Sequence, residues 1–319
     1  MGEAEALTVL GGYLIASNEE EALRVTRKAL DLTQRNAIWS RVARFIRFSA
    51  SSNIGYISVF GGRIEPDAEQ RFQEAFRIGK SDPMLRRPLI RLYGAFSRYC
   101  FMKNDRAAEW TALEDGLRLF RELPNPNISD AFILDYYRNR LARDGDYRGA
   151  ERASRERYEL NDRAAGPTGF LSLNSHIGWG MDLGRIGEWQ KAAKELTACR
   201  KQQSLLPARA QMSNDWILMA GSAYVENRNG NPADAEGYAR KAAVAAADHK
   251  WDAKDPRFAE AYLETGIALR LQKHFDQATA ELTRSRDIYS AAWGAGHKRT
   301  LLAAGELARA VAHDAGPIH

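Results

Sequence analysis

A turn that returns at a nearly constant interval is the feature that most constrains this chain. Breaks in the helical pattern fall near Asn18, Glu65, Asn104, Gly145, Gly187, Gly230 and Lys273. Their successive separations are 47, 39, 41, 42, 43 and 43 residues. Between the breaks, apolar residues recur at i, i+4, i+7 and i+8, the spacing of a helix packed on one side. One period therefore holds two helices. A lone helical hairpin has more apolar surface than it can bury, so neighbouring hairpins must stack. This predicts an all-α solenoid of about seven hairpins plus a terminal helix. A chain of 319 residues exceeds the size at which one globular core stops growing, but a solenoid grows by layers. We read 1–319 as one repeat domain, with degenerate repeats over 1–123 and clearer ones over 130–313.

The fifth hairpin, residues 170–200, shows the unit most clearly. Its turn is Gly184-Arg185-Ile186-Gly187, with His176, Trp179, Gly180 and Leu183 before it and Trp189, Ala192, Leu196 and Cys199 after it. Small residues such as Gly180 and Ala192 let two helices press together, and a flat ring beside them fills the remaining space. The same reading predicts helices over 4–16, 19–34, 36–59, 86–102, 130–143, 211–227 and 298–313. The last of these has no partner helix. Asp144 and Asp146 flank a turn glycine and are read as helix caps.

Within the hairpins the residues resemble tetratricopeptide repeats. That family places bulky, apolar, glycine and aromatic residues on the first helix. It places Gly-Asp-Tyr at the turn, and Ala, then an aromatic or Leu, then Ala on the second helix. The matches are His176, Trp179, Gly180, Leu183, Gly187, Trp189, Ala192 and Leu196 in one hairpin. Tyr262, Gly266, Leu269, Phe275, Ala278 and Leu282 match in another, and Gly145-Asp146-Tyr147 with Ala150 in a third. A period near 42 is longer than the usual 34. In this it is similar to kinesin-light-chain-like and bacterial regulator-type members, whose loop Trp293-Gly294-Ala295-Gly296-His297 resembles. The resemblance covers 130–313 well and 1–123 loosely, and the proline near the end of the family's second helix is mostly missing. It implies a right-handed α-α superhelix that serves as a protein- or peptide-binding scaffold or adaptor. The alternative is the sensor or regulatory repeat region of a larger bacterial signalling or transcription-regulatory protein.

Motifs for chemistry are absent from the sequence. Gly178, Gly180, Gly184 and Gly187 follow no strand and precede no Gly-Lys-Ser/Thr, so they form no phosphate loop. The histidines, His176, His249, His274, His297, His313 and His319, include no pair at i+3 or i+4, so no helix-borne metal site is expected. His176 stands where the repeat wants a packing residue. Cys100 and Cys199 lie among apolar neighbours and read as small core side chains. We therefore expect no enzyme, no cofactor and no metal; a helical-repeat enzyme is the less favoured reading.

Lys and Arg exceed Asp and Glu by five, 46 against 41. Spread over so large a surface, that excess is only a weak argument for nucleic acid, which is not the expected partner. No apolar run approaches the roughly 20 residues that span a bilayer. With the acidic start Glu3 and Glu5, this predicts a cytoplasmic protein with no membrane partner.

The expected partner is another protein or an extended peptide segment. The resemblance implies that positions between the packing residues of each first helix face the groove. These are Asp135, Tyr136, Asn139 and Arg143 in the fourth hairpin, and Asn174, Met181 and Arg185 in the fifth. In the seventh they are Glu264, Ile267 and Arg270, and in the third Arg91 and Arg98. Arg and Asn there would hold the backbone or carboxylate of an extended peptide. Arg35, Arg41, Arg44 and Arg47 form a separate basic patch, with no Asp or Glu between Asp31 and Glu65; the last three are spaced to lie along one side of a helix.

Overall fold

The computed structural model describes residues 2–35, 41–60, 64–166 and 169–318. Among these are fifteen α-helices and no strand. By its internal contacts the chain divides into two compact units, 1–140 and 141–319, each taken by itself below.

The first unit holds α1 (Gly2–Leu14), α2 (Glu19–Arg35), α3 (Arg41–Phe60), α4 (Ala68–Ser81), α5 (Arg86–Met102) and α6 (Arg106–Arg121). It also holds α7 (Phe132–Arg143) as far as Arg140. The second unit holds the end of α7, then α8 (Tyr147–Ala165), α9 (Phe170–Arg185), α10 (Trp189–Ser204) and α11 (Ala208–Arg228). It continues with α12 (Pro232–Asp248), α13 (Pro256–Leu271), α14 (Phe275–Trp293) and α15 (Lys298–Val311).

Five of the seven turn residues that mark the repeat have a common backbone cause. Asn104, Gly145, Gly187, Gly230 and Lys273 all have positive φ, between 58° and 86°. In each case the next residue's amide bonds the carbonyl five residues before it, as Glu188 to Leu183 at 3.0 Å and His274 to Leu269 at 2.8 Å. This left-handed closure satisfies the orphan carbonyls of the first helix and aims the chain into the second. The following residue then caps the second helix at two of these turns. Asp105 accepts from the Ala108 amide and Asp146 from Gly149.

Packing inside each unit follows from small residues on the first helices. A Cβ on Gly180 would stand 2.9 Å from Leu196, and one on Gly266 only 2.5 Å from Leu282. In the first unit Gly55 gives Phe72 its place, and Phe72, Phe76, Tyr93, Phe96 and Tyr99 form a continuous aromatic core. First helices lie beside first helices: α1, α3 and α5 in one unit, and α9, α11, α13 and α15 in the other. Each unit therefore presents a face built from successive first helices.

Candidate functional site

On the first unit's face, α5 is enclosed almost completely. Between Leu89 and Cys100 every residue is buried except Arg91 and Arg98, which are exposed, and half-buried Phe96. Tyr136 of α7 lies across Gly94, where a Cβ would come within 2.7 Å of its ring. The order along α5 is thus arginine, tyrosine-covered glycine, arginine. The Arg98 guanidinium sits 5.2 Å over the ring of Phe60 from α3. Burial pushes the hydroxyls of Tyr56 and Tyr136 above the ordinary tyrosine range, and Arg91 pulls against that rise at both. Both phenols therefore stay protonated and can donate. Among the described residues, neither Arg91 nor Arg98 has a carboxylate at ion-pair distance. Nearby arginines do: Arg140 pairs with buried Glu109 at 2.9 Å, and Arg87 with Asp130.

Beside this strip, α1 and α3 line a half-open cavity of about 220 Å³, formed by Val9, Gly12, Phe45, Ile46, Ser49 and Asn53 among others. No sequence signal points to it, because its walls are about forty residues apart and meet only when the first helices stack.

The remaining sequence-predicted positions divide. Asp135 is half-buried, while Asn139 is exposed and accepts from Arg138 at 3.3 Å. In the second unit, Arg143 is exposed and Asn174 half-buried. Met181 is half-buried and packs against Gly221 within the core of that unit. Arg185 pairs with buried Asp182 at 2.7 Å.

Three expected groove positions are corrected. Glu264, Ile267 and Arg270 are all 0% exposed. Ile267 belongs to an apolar cluster with Leu263 and Leu282. Glu264 accepts from Asn227 at 2.9 Å and from Arg228 at 3.2 Å. Arg270 donates to Glu306 at 2.8 Å and to the carbonyls of Asp314 and Gly316, both at 2.8 Å. The resemblance implied a groove position, but in the interior neighbouring first helices and the segment after α15 supply partners for Glu264 and for Arg270, whose Nη2 alone keeps no hydrogen-bond partner.

The basic patch is corrected in part. Arg44 is exposed, and Arg41 is exposed with Asp82 3.7 Å away. Arg47 instead turns inward, half-buried, and donates to the Thr33 carbonyl at 3.0 Å. The Arg35 side chain lies outside the described residues.

His176 is a packing residue, 5% exposed. Its ring stacks on Tyr158 at 4.2 Å and bonds Glu195 at 2.9 Å. Both cysteines are buried. Burial, and next the nearby Asp105, push the Cys100 thiol up to about 12; burial also raises that of Cys199. Among the described residues, no group of three or more His, Cys, Asp or Glu side chains is placed to hold a metal ion, and no helix is long and apolar enough to cross a membrane.

Stacked helical hairpins with small first-helix residues, left-handed turns and buried second-helix alanines define a tetratricopeptide-like helical-repeat fold. Solved structures share it. A Rap protein complexed with competence and sporulation factor superposes with a TM-score of 0.59 at 12% identity, over 91% of this chain and 77% of that one. BtubC (BKLC) from P. vanneervenii gives 0.55 at 14% identity, over 72% and 90%. The APC/C hetero-tetramer Cut9–Hcn1 gives 0.56 at 12% identity, over 93% and 54%. No family model matches the chain, and no curated protein does.

Proposed function

We propose that this chain is a protein-binding scaffold, not a catalyst, and that its partners bind on the first-helix faces. The observation that carries the reading is α5, buried along most of its length yet presenting Arg91 and Arg98 in one narrow strip. Neither cation has a carboxylate partner within the fold, and a binding surface uses such cations. Two of the similar structures have been seen with a partner, the Rap protein with its factor and Cut9 with Hcn1. Asn139 extends the polar surface in the first unit, and Arg143 and Asn174 supply one in the second.

Affinity capture from a lysate of the source cells tests this, with the full chain as bait and bound proteins identified by mass spectrometry. One variant carries Arg91→Glu and Asn139→Arg, and another Arg143→Glu and Asn174→Arg. A protein held by the wild type and lost with either variant supports the reading. Identical captures by all three baits would move the working surface off the first-helix faces.

A further inference from the structure

The first unit's face has two halves of different chemistry, and α3 joins them. Its outward stripe runs Phe45, Ser49, Asn53, Tyr56 and Phe60 at spacings of four, four, three and four residues. The first three line the cavity against α1. The last two border the arginine strip: Arg91 acts on the Tyr56 hydroxyl, and Arg98 lies over Phe60. We propose that this face binds an acidic segment of a partner protein, anchored by one bulky apolar side chain in the cavity. The proposal rests on the scaffold reading and adds the partner's chemistry.

Each half selects a different part of the segment. A cavity of about 220 Å³ suits a leucine or phenylalanine side chain, and Phe45 and Val9, half exposed at 48% and 54%, give it apolar walls. Glu5 also lines it, so acidic groups of the partner are disfavoured at that end. At the other end, Arg91 and Arg98 stand about 10 Å apart along α5. Their forked donors suit carboxylates. Ser49 and Tyr56 are likewise about 10 Å apart along α3, a span covered by about three extended residues. The matching segment has an apolar residue followed, roughly three positions on, by two or more acidic residues.

The probe is a fluorescein-labelled synthetic peptide of one phenylalanine, two glycines and four glutamates, followed by fluorescence anisotropy on the full chain. The wild type should bind it at least tenfold more tightly than the same peptide with lysines in place of glutamates. Arg91→Glu with Arg98→Glu should weaken binding at least tenfold, and added salt should weaken it in the wild type. Gly12→Leu places its branch in the cavity, since a Cβ there meets only the Asn53 amide at 3.6 and 3.8 Å. It should weaken the phenylalanine peptide and leave a serine-for-phenylalanine version unchanged. All three positions are exposed, and circular dichroism checks that each variant is folded. No binding by the wild type, equal binding by the arginine variant, or tighter binding of a single-stranded oligonucleotide than of the glutamate peptide would overturn the proposal. If it falls while lysate capture still depends on the first-helix faces, only the partner's chemistry is wrong. If capture is also indifferent, the scaffold reading falls with it.

Discussion

A methyl group on Gly266 would stand 2.5 Å from Cγ of Leu282 and 3.2 Å from the Leu282 backbone nitrogen. The leucine could turn away, but the backbone of α14 cannot without moving the helix. Alanine in place of glycine gains up to about 1 kcal/mol of helix propensity, and overpacking costs about 1–3 kcal/mol. Gly266→Ala should therefore destabilise the chain by about 1–2 kcal/mol, read from the urea midpoint. Ala192, 0% exposed in the core of the fifth hairpin, offers the same test with a larger insult. Ala192→Leu should cost about 1–3 kcal/mol, and a neutral result would mean that α10 packs elsewhere. The cysteines give a prediction of another kind. Thiolate is the reactive form, and burial holds both thiols far above neutral pH. Ellman's reagent at mildly alkaline pH should find neither thiol in the folded chain and both in guanidinium; prompt labelling of the native protein would show that a hairpin opens readily.

Between elements, the buried charges missed by sequence reasoning have their own periodicity. Arg228 of α11 meets Glu264 of α13 at 3.2 Å, and Arg270 of α13 meets Glu306 of α15 at 2.8 Å. Within each pair the residues lie 36 apart, and one pair lies 42 residues beyond the other, one full repeat. The pairs thus bridge consecutive first helices at equivalent positions. Arg228→Met leaves the buried Glu264 without its cation, which should cost about 3–5 kcal/mol. Replacing both, as Arg228→Met with Glu264→Leu, should recover most of that loss. A double-mutant cycle by chemical denaturation checks the coupling. Five of the turns were legible beforehand because one residue at each takes a left-handed backbone, and glycine or asparagine marks four of these sites. Interior ion pairs were not, because a charged residue on a helix reads as solvated until its partner is placed beside it. Arg91 and Arg98 have the same residue type as Arg270, and only the stacking of neighbouring helices separates their environments.

At the scale of the whole chain, the hairpin count came from spacing alone, since stacking is the only way each period can bury its apolar face. Spacing says less about cooperativity. A solenoid's stability is the sum of repeat and interface contributions, so coupling is local and can fail where contacts thin. The contacts divide the chain at Arg140 and Leu141, inside α7. This favours unfolding in more than one step. Calorimetry of the full chain should give a van't Hoff enthalpy below the calorimetric enthalpy. The variants above make the test sharper. Gly266→Ala and Arg228→Met lie in the second unit and should lower the midpoint of one transition while leaving the other in place. The aromatic core of α4 and α5 belongs to the first unit, and Phe72→Ala there should cost about 3–5 kcal/mol and lower the other transition. If every variant shifts a single sharp transition, the helix through the division couples the two units strongly enough that all the repeats melt as one.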